Sequence, residues 1–429
     1  MRIIHFFLFI GIVTSGAGQT FPRGSANRME ERILALAKYG TNPEGGVSRV
    51  AYSDADLAGR KYIIELMKTA GLEVTIDAAG NIIGKRKGQN ASLPVIAFGS
   101  HIDSVPGGGN YDGDVGSLGA IECIEMMKEN NIVTQHPLEV IIFQNEEGGL
   151  VGSEAMCGTF KESSLALVSN SGKTIRQGII DLGGNPDKLS EAIRKKGYFK
   201  AFVELHIEQG GILDRTGVNI GVVEGIVGIN QWDVVISGKA NHAGTTPMDQ
   251  RNDALLAASK FITAVNLAAT GLAGRHVATV GKIRAYPGAP NVIPGKVEMT
   301  LEIRDLSYER ILSLFEIIKS RGVSIEKESG TTISYNQINE NLPAITDKRI
   351  QDIVAAASKE LGLTTSYMPS GAGHDTQDMA TIAPVGMIFV PSKNGISHAP
   401  AEYTSPADMA NGASVLLQTI LKIDRAKLP

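Results

Sequence analysis

Residues 99–113, GSHIDSVPGGGNYDG, place an imidazole (His101) and a carboxylate (Asp112) on a glycine-rich segment directly after an apolar run, residues 94–98. Imidazole nitrogen and carboxylate oxygen are the ligand types that suit zinc and its neighbours among divalent ions. Gly107, Gly108 and Gly109 permit the tight chain path by which ligands so spaced can converge. Asp103 is spaced to accept the other ring N–H and fix the tautomer of a ligating histidine. Taken alone, the segment fits equally a polar loop after a buried strand, with its histidine hydrogen-bonded locally. Three later segments carry the same ligand types: QNEEGG with Glu146 and Glu147, LHIEQGG with His206, and SHAPAEY with His398.

These groups need elements that bring them to one place. Residues 95–98, a helix over 115–130 with Leu118, Ile121, Ile124 and Met127 on one face, and a strand over 138–143 form a βαβ unit. Its strands are near-continuously apolar, which predicts a parallel sheet covered on both faces. Ligands collect outside the carboxyl ends of such strands. Glu146 and Glu147 follow the second strand, His206 follows residues 201–205, and His398 follows the run PVGMIFVP. All are therefore expected at the same sheet edge as His101 and Asp112. Adjacent side chains point apart, so one glutamate can ligate an ion while the other faces a substrate. Upstream, the spacing predicts a helix over 25–39, a second helix capped by Ser53 and stopped at Gly71, and a hairpin turning at Gly80 and Asn81.

Between residues 217 and 330 the pattern changes. Strand runs NIGVVEGIVGI and WDVVISG precede a helix over 253–267, strands HVATVGKIRAY and KVEMTLEIR, a helix over 308–319 and a last strand near 323–326. Two helices on one antiparallel sheet predict an inserted ferredoxin-like α+β domain. The fold class is thus α/β with a mainly parallel sheet, its catalytic domain formed by residues 25–216 and 331–429.

The 429 residues suffice for two domains, and 43% hydrophobic content supplies their cores. The formal net charge of −4, with acids and bases interspersed, shows neither a nucleic-acid stripe nor a polybasic membrane patch. Cys123 and Cys157 form no disulfide framework, and Cys123 sits at a helical position among apolar neighbours. Residues 1–19 have the layout of a secretory signal peptide: Arg2, an apolar run over 3–13, then Ser15, Gly16, Ala17 and Gly18. That predicts export to a periplasm or the extracellular space, with no membrane association after cleavage.

Taken together and in order, HIDSV, GGNYDG, QNEEGG, ELHIEQG, NHAGTTPM and SHAPAEY resemble the amidase, hydantoinase and carbamoylase branch of the dinuclear-metal aminoacylase and carboxypeptidase superfamily. The similarity runs from about Asn27 to the C-terminus. It implies an exopeptidase-like catalytic domain with an inserted lid and dimerisation domain. It also implies two divalent ions per subunit, zinc or else manganese, cobalt or nickel. His101, Asp112 and His206 would hold one ion; Asp112, as a bridge, would hold the other with Glu147 and His398. A bound ion of this kind brings the pKa of water to roughly 7, and the resemblance makes Glu146 the general base, with Asp103 in the catalytic set.

The resemblance further assigns His242, in KANHAGTTPM, as oxyanion donor and substrate contact, and pairs Arg304 with Asn291 in gripping a substrate carboxylate. On residues alone, Arg304 fits a salt bridge with Glu302 or Asp305, and Asn291 a turn. Gln209 and His374, in SGAGHDTQDMA, are further substrate-binding candidates. Histidine at position 206, where the peptidases of the superfamily carry a carboxylate, favours ureido over peptide chemistry. A homodimer through the lid would let His242 and Asn291 reach the partner's site. The activity implied is metal-dependent hydrolysis of a small-molecule ureido acid, an N-carbamoyl-L-amino acid or an allantoate-like compound, releasing ammonia and carbon dioxide. An aminoacylase or exopeptidase on the same scaffold is the alternative, and a silent binding protein has no need of all six site groups.

Overall fold

A computed structural model describes residues 21–427. The presequence assigned to residues 1–19 lies outside the described residues.

The strands, in chain order, are β1 (Glu73–Ile76), β2 (Ile82–Arg86), β3 (Val95–His101), β4 (Leu138–Phe143), β5 (Phe199–Ile207), β6 (Ile220–Ile226), β7 (Gly228–Ser237) and β8 (Asn241–His242). They continue with β9 (Val277–Tyr286), β10 (Val292–Ile293), β11 (Lys296–Asp305), β12 (Thr332–Asn341), β13 (Ala344–Ile345), β14 (Thr365–Ser370) and β15 (Val385–Val390). The larger sheet runs β1-β2-β4-β3-β5-β15-β6-β13, with β14 paired to β6. Its centre, β4-β3-β5-β15, is parallel throughout, and β3, β4 and β15 are buried along their whole length.

Alternate residues of these strands serve opposite faces, as the two-residue period requires. Ile96, Phe98, Val140, Ile142, Val203 and Leu205 join the main core, whereas Val95, Ala97, Ile141, Phe143 and Phe202 face a second one. Helices Ala26–Ala37, Asp54–Thr69, Asp114–Glu129, Lys348–Glu360 and Pro406–Arg425 cover the first face. Met156 and Met379, from the short helices Val151–Cys157 and Asp375–Met379, fill the second. The expected alternation of strand and helix is therefore present, and the carboxyl ends of β3, β4, β5 and β15 point the same way.

The smaller sheet, β12-β7-β11-β9, is antiparallel. With helices Ala254–Thr270 and Tyr308–Ser329 it has the order βαββαβ of a ferredoxin-like unit. Along β7 and β11 buried and less buried residues alternate, because only one face is covered by helices. Trp232 stacks on Phe315 at a ring separation of 4.1 Å in its core.

The expected boundaries move. β6 belongs to the larger sheet, antiparallel to β15 and parallel to β14, so the insert begins at Gly228 rather than at 217. The run NIGVVEGIVGI is apolar throughout and carries no mark of the change of sheet. Residues 323–326 are helical, not a strand: Ile311, Leu314, Ile318 and Ile325 continue one buried face to Ser329, and Gly330 ends the helix at φ +64°. The last strand of the insert is β12, which moves the return from 331 to beyond Asn341. Outgoing and returning chains cross side by side, with Asn341 paired to Ile229 and Ala344 to Ile226.

Candidate metal centre and substrate cavity

β3 ends in His101 and β5 carries His206 one residue from its end, so both rings are fully buried at the sheet edge. His101 Nδ1 lies 3.0 Å from the carbonyl of Asp103 and His206 Nδ1 lies 2.9 Å from that of Ile207. Both carbonyls accept, so the protons sit on Nδ1 and the Nε2 atoms are turned toward Asp112, that of His206 also accepting the N–H of Gly113 at 3.2 Å. Asp112 lies between the histidines: Oδ1 is 3.1 Å from His206 Nε2 and 3.5 Å from His101 Nε2. Its other oxygen, Oδ2, is 3.3 Å from His398 Nε2, and that nitrogen is 3.3 Å from Glu147 Oε1. The result is two three-residue arrays that share Asp112, one His101–Asp112–His206 and the other Asp112–Glu147–His398.

The donor set fits divalent ions. His101 Nε2 and Glu147 Oε1 are buried without a hydrogen-bond partner among the described residues. Such atoms are costly unless something else satisfies them. Two imidazoles with a carboxylate, and two carboxylates with an imidazole, are ligand sets of the kind zinc, manganese and cobalt accept.

Glu146 stands 3.8 Å from His101 Nε2, with its side chain only 9% exposed. Burial pushes its carboxyl well above the usual carboxylate range; His101 opposes the shift and Glu147 adds to it. Burial opposes charging of His101, yet Glu146, Asp103 and Asp112 together raise it well above the usual histidine value. Asp112 is held well below the usual range by His206, His101 and His398 against the effect of burial. His398 is pushed up to about 10 by its contacts with Asp112 and Glu147.

Asp103 differs from expectation. Its carbonyl, not its carboxylate, meets His101 at hydrogen-bond distance; the nearer carboxylate oxygen is 3.6 Å away. The carboxylate instead accepts the backbone N–H groups of Glu146 (3.2 Å) and Glu147 (3.1 Å). One side chain thus fixes the loop that carries both glutamates.

Of the substrate-binding candidates, Gln209 and Arg304 line one cavity of about 770 Å³ with His398, Ile212, Val277 and Met368. Gln209 Nε2 donates to Asp112 Oδ2 at 2.6 Å. Arg304 donates through Nε to Glu302 and through Nη1 to the carbonyl of Gly371. The ion pair with Glu302 and the cavity position therefore coexist. His374 does not line the cavity. It is buried against His206, with ring centroids 4.4 Å apart, and its Nε2 meets Ser370 Oγ. Burial, with His206 beside it, holds it well below the usual histidine value. The expectation of a substrate contact is corrected to a buried support of the His206 ring.

His242 and Asn291 are exposed on the insert and line no part of that cavity. They neighbour each other where β8 pairs with β10, and Ala243 N–H donates to the Asn291 carbonyl. His242 Nδ1 accepts the N–H groups of Gly244 and Thr245, which leaves the proton on Nε2, facing outward as a donor.

Glu204 and Glu402, buried carboxylates at the site, escaped the sequence reading. Glu204, two residues before His206 inside an apolar strand, accepts Ser100 Oγ and both donors of Thr376. A charge within a strand buried on both faces was the available signal. Glu402, inside the SHAPAEY segment, accepts backbone and hydroxyl donors from the two loops that carry Asp112 and His398.

The profile of the family described as peptidase family M20/M25/M40 matches residues 97–422. An N-carbamoyl-L-amino acid amidohydrolase of Geobacillus stearothermophilus is 39% identical over 92% of this chain and 98% of its own length. An allantoate amidohydrolase of Bacillus subtilis is 34% identical over 92% and 97%. A crystal structure of an amidase of the hydantoinase/carbamoylase family from Burkholderia multivorans superposes with a TM-score of 0.87 at 34% identity, covering 94% of this chain and 99% of that one. On its sequence, its fold and its relatives, the chain belongs to peptidase family M20/M25/M40, in the hydantoinase/carbamoylase branch of amidases.

Proposed function

We propose that the protein is a metal-dependent amidohydrolase that cleaves the ureido C–N bond of an N-carbamoyl-L-amino acid or allantoate-like acid, releasing ammonia and carbon dioxide. The observation that carries this reading is the pair of ligand arrays sharing Asp112, with Glu146 beside them and aimed at the same space. The ureido specificities named for the relatives support the substrate class. His101, Asp112 and His206 would hold one divalent ion and Asp112, Glu147 and His398 a second. Ions there supply a water of pKa near 7 and a Lewis acid for the carbonyl.

The chain's own residues do the rest. Glu146, anchored through its backbone by Asp103, takes the proton of the attacking water and returns it to the departing nitrogen. Arg304 grips the substrate carboxylate from the cavity wall, where a planar guanidinium can pair in bidentate fashion. His242 Nε2–H donates to the developing oxyanion, a contribution of about 10²- to 10³-fold in rate. Since His242 and Asn291 sit on the exposed surface of the insert, their part in this reading comes with a homodimer in which the lid of one subunit serves the site of its partner. The layout of residues 2–18 supports export of the mature chain.

The test is ammonia release by the purified protein on allantoate, N-carbamoyl-L-amino acids and N-acetyl-amino acids, after chelation and after adding back zinc, manganese or cobalt. Metal-dependent ammonia from the ureido acids is the expected result. Free amino acid from the acetyl compounds, with no ammonia from the others, transfers the protein to the aminoacylase reading.

A further inference from the structure

Glu402 is a buried carboxylate that none of the steps above uses, only 4% exposed and wedged between two loops from distant parts of the chain. Its Oε1 accepts the N–H groups of Tyr111 (2.8 Å) and Asp112 (3.0 Å). Its Oε2 accepts Ser397 Oγ–H (2.8 Å) and the N–H of His398 (3.2 Å). Three backbone N–H groups and the Ser397 hydroxyl, which also lies 3.0 Å from Asp112 Oδ2, thus converge on one carboxyl group, and no Lys or Arg forms an ion pair with it among the described residues.

Two further features point to this arrangement. His398 has φ +54°, a left-handed conformation that a non-glycine residue holds only where its surroundings impose it. A Cβ on Gly109 would lie 2.2 Å from Glu402 Oε1 and 2.3 Å from Glu402 Cβ, so the space that glycine leaves is the space this side chain fills. His101 and His206 are different: both are carried by β3 and β5 within the sheet. His398 follows the end of β15 by several residues and depends on local contacts for its place.

We propose that Glu402 is a positioning residue that sets the separation of Asp112 and His398, and with it the affinity of the ion site these two share with Glu147. The inference rests on reading Asp112 and His398 as ion ligands. The His101–Asp112–His206 site takes two of its three ligands from strand ends and meets Glu402 only through Asp112, so it should depend on Glu402 less.

The experiment is calorimetric titration of the chelator-stripped full chain with Mn²⁺, alongside circular dichroism and thermal melting. Wild type should take up two ions, and His398→Ala should weaken one of the two steps. In Glu402→Gln the amide NH₂ must face either the N–H groups of Tyr111 and Asp112 or the N–H of His398. That same step should then weaken roughly 10- to 100-fold, the range found for residues that orient ligands, while the other step moves by no more than about threefold. Gly109→Ala, which displaces the carboxylate without altering its chemistry, should reproduce the one-step loss. Should neither variant fold, Glu402→Asp, which keeps the charge but draws it back by one methylene from its donors, decides: a weakened His398-dependent step supports the proposal and an unchanged one overturns it. A folded Glu402→Gln with both steps unchanged, or both weakened alike, also overturns it. Fewer than two ions on wild type, or no effect of His398→Ala, overturns the ligand assignment itself and the proposal with it.

Discussion

Glu146 and Arg304 divide the proposed chemistry between rate and binding, and their variants should separate the two. Glu146→Gln keeps the shape and removes the proton acceptor, so kcat should fall about 10²- to 10⁴-fold. Metal content by atomic emission and KM should change little. Arg304→Ala removes a charge-assisted contact worth about 1.5–3 kcal/mol, so KM should rise roughly 10- to 100-fold with metal content intact. A normal KM in that variant removes Arg304 from the site. The five ligand candidates were legible because each is an imidazole or carboxylate following an apolar run. Asp103 was legible as a neighbour of His101 but not in its contacts, since sequence spacing cannot tell a carbonyl contact at 3.0 Å from a carboxylate at 3.6 Å.

Strands and helices hold these groups through close packing. A Cβ on Gly116 would lie 1.9 Å from the carbonyl oxygen of Leu205, so helix Asp114–Glu129 rests directly on β5 beside His206. Gly116→Ala should therefore cost about 1–3 kcal/mol by overpacking. A lowered melting temperature and weaker ion binding at the His206 site would register it; an unchanged melting temperature would refute the contact.

At the start of helix Asp54–Thr69, Ser53 caps the N–H of Asp56, and Asp56 accepts the N–H of Tyr52. Burial pushes Asp56 up to about 6 from its model-compound value of 3.8, with Arg60 opposing. A carboxyl whose folded pKa is raised contributes stability that is full below pH 3.8 and is lost as pH rises through about 6, here about 3 kcal/mol. Asp56→Asn does not titrate, so its stability relative to wild type should rise by about that amount between pH 4 and pH 7. Urea denaturation at the two pH values that gives a constant difference would sink the assignment. The helical period identified this helix correctly, but it failed at residues 323–326, where a short alternating stretch belongs to a longer helix.

Between the two sheets the chain crosses twice, at Val227 and at residues 342–343, on neighbouring paths. Two adjacent strand connections make a narrow link between the sheets, and on the proposed reading the insert would close over the cavity by bending there. Arg304 lines that cavity from the insert and His398 from the larger-sheet domain. If His242 serves the partner's site, two inactive variants should complement. Mixed after dissociation and reassociation, His242→Ala and Glu146→Gln should recover about a quarter of wild-type activity, because half the dimers are hybrids and each hybrid holds one complete site. No recovery would assign His242 to its own subunit or to no site.

The amino-acid sequence determines the candidate ligand residues and their gathering at one sheet edge, because residue type decides what could bind an ion and hydrophobic period decides where strands end. It determines the ferredoxin-like insert for the same reason. Side chains meeting across the fold follow a different logic. Glu402 lies 290 residues from Asp112 in sequence yet binds its backbone, and Glu204 joins Ser100 to Thr376. His374 lies behind His206 rather than in the cavity. Such contacts depend on how the elements pack in three dimensions, and no local period or spacing encodes them.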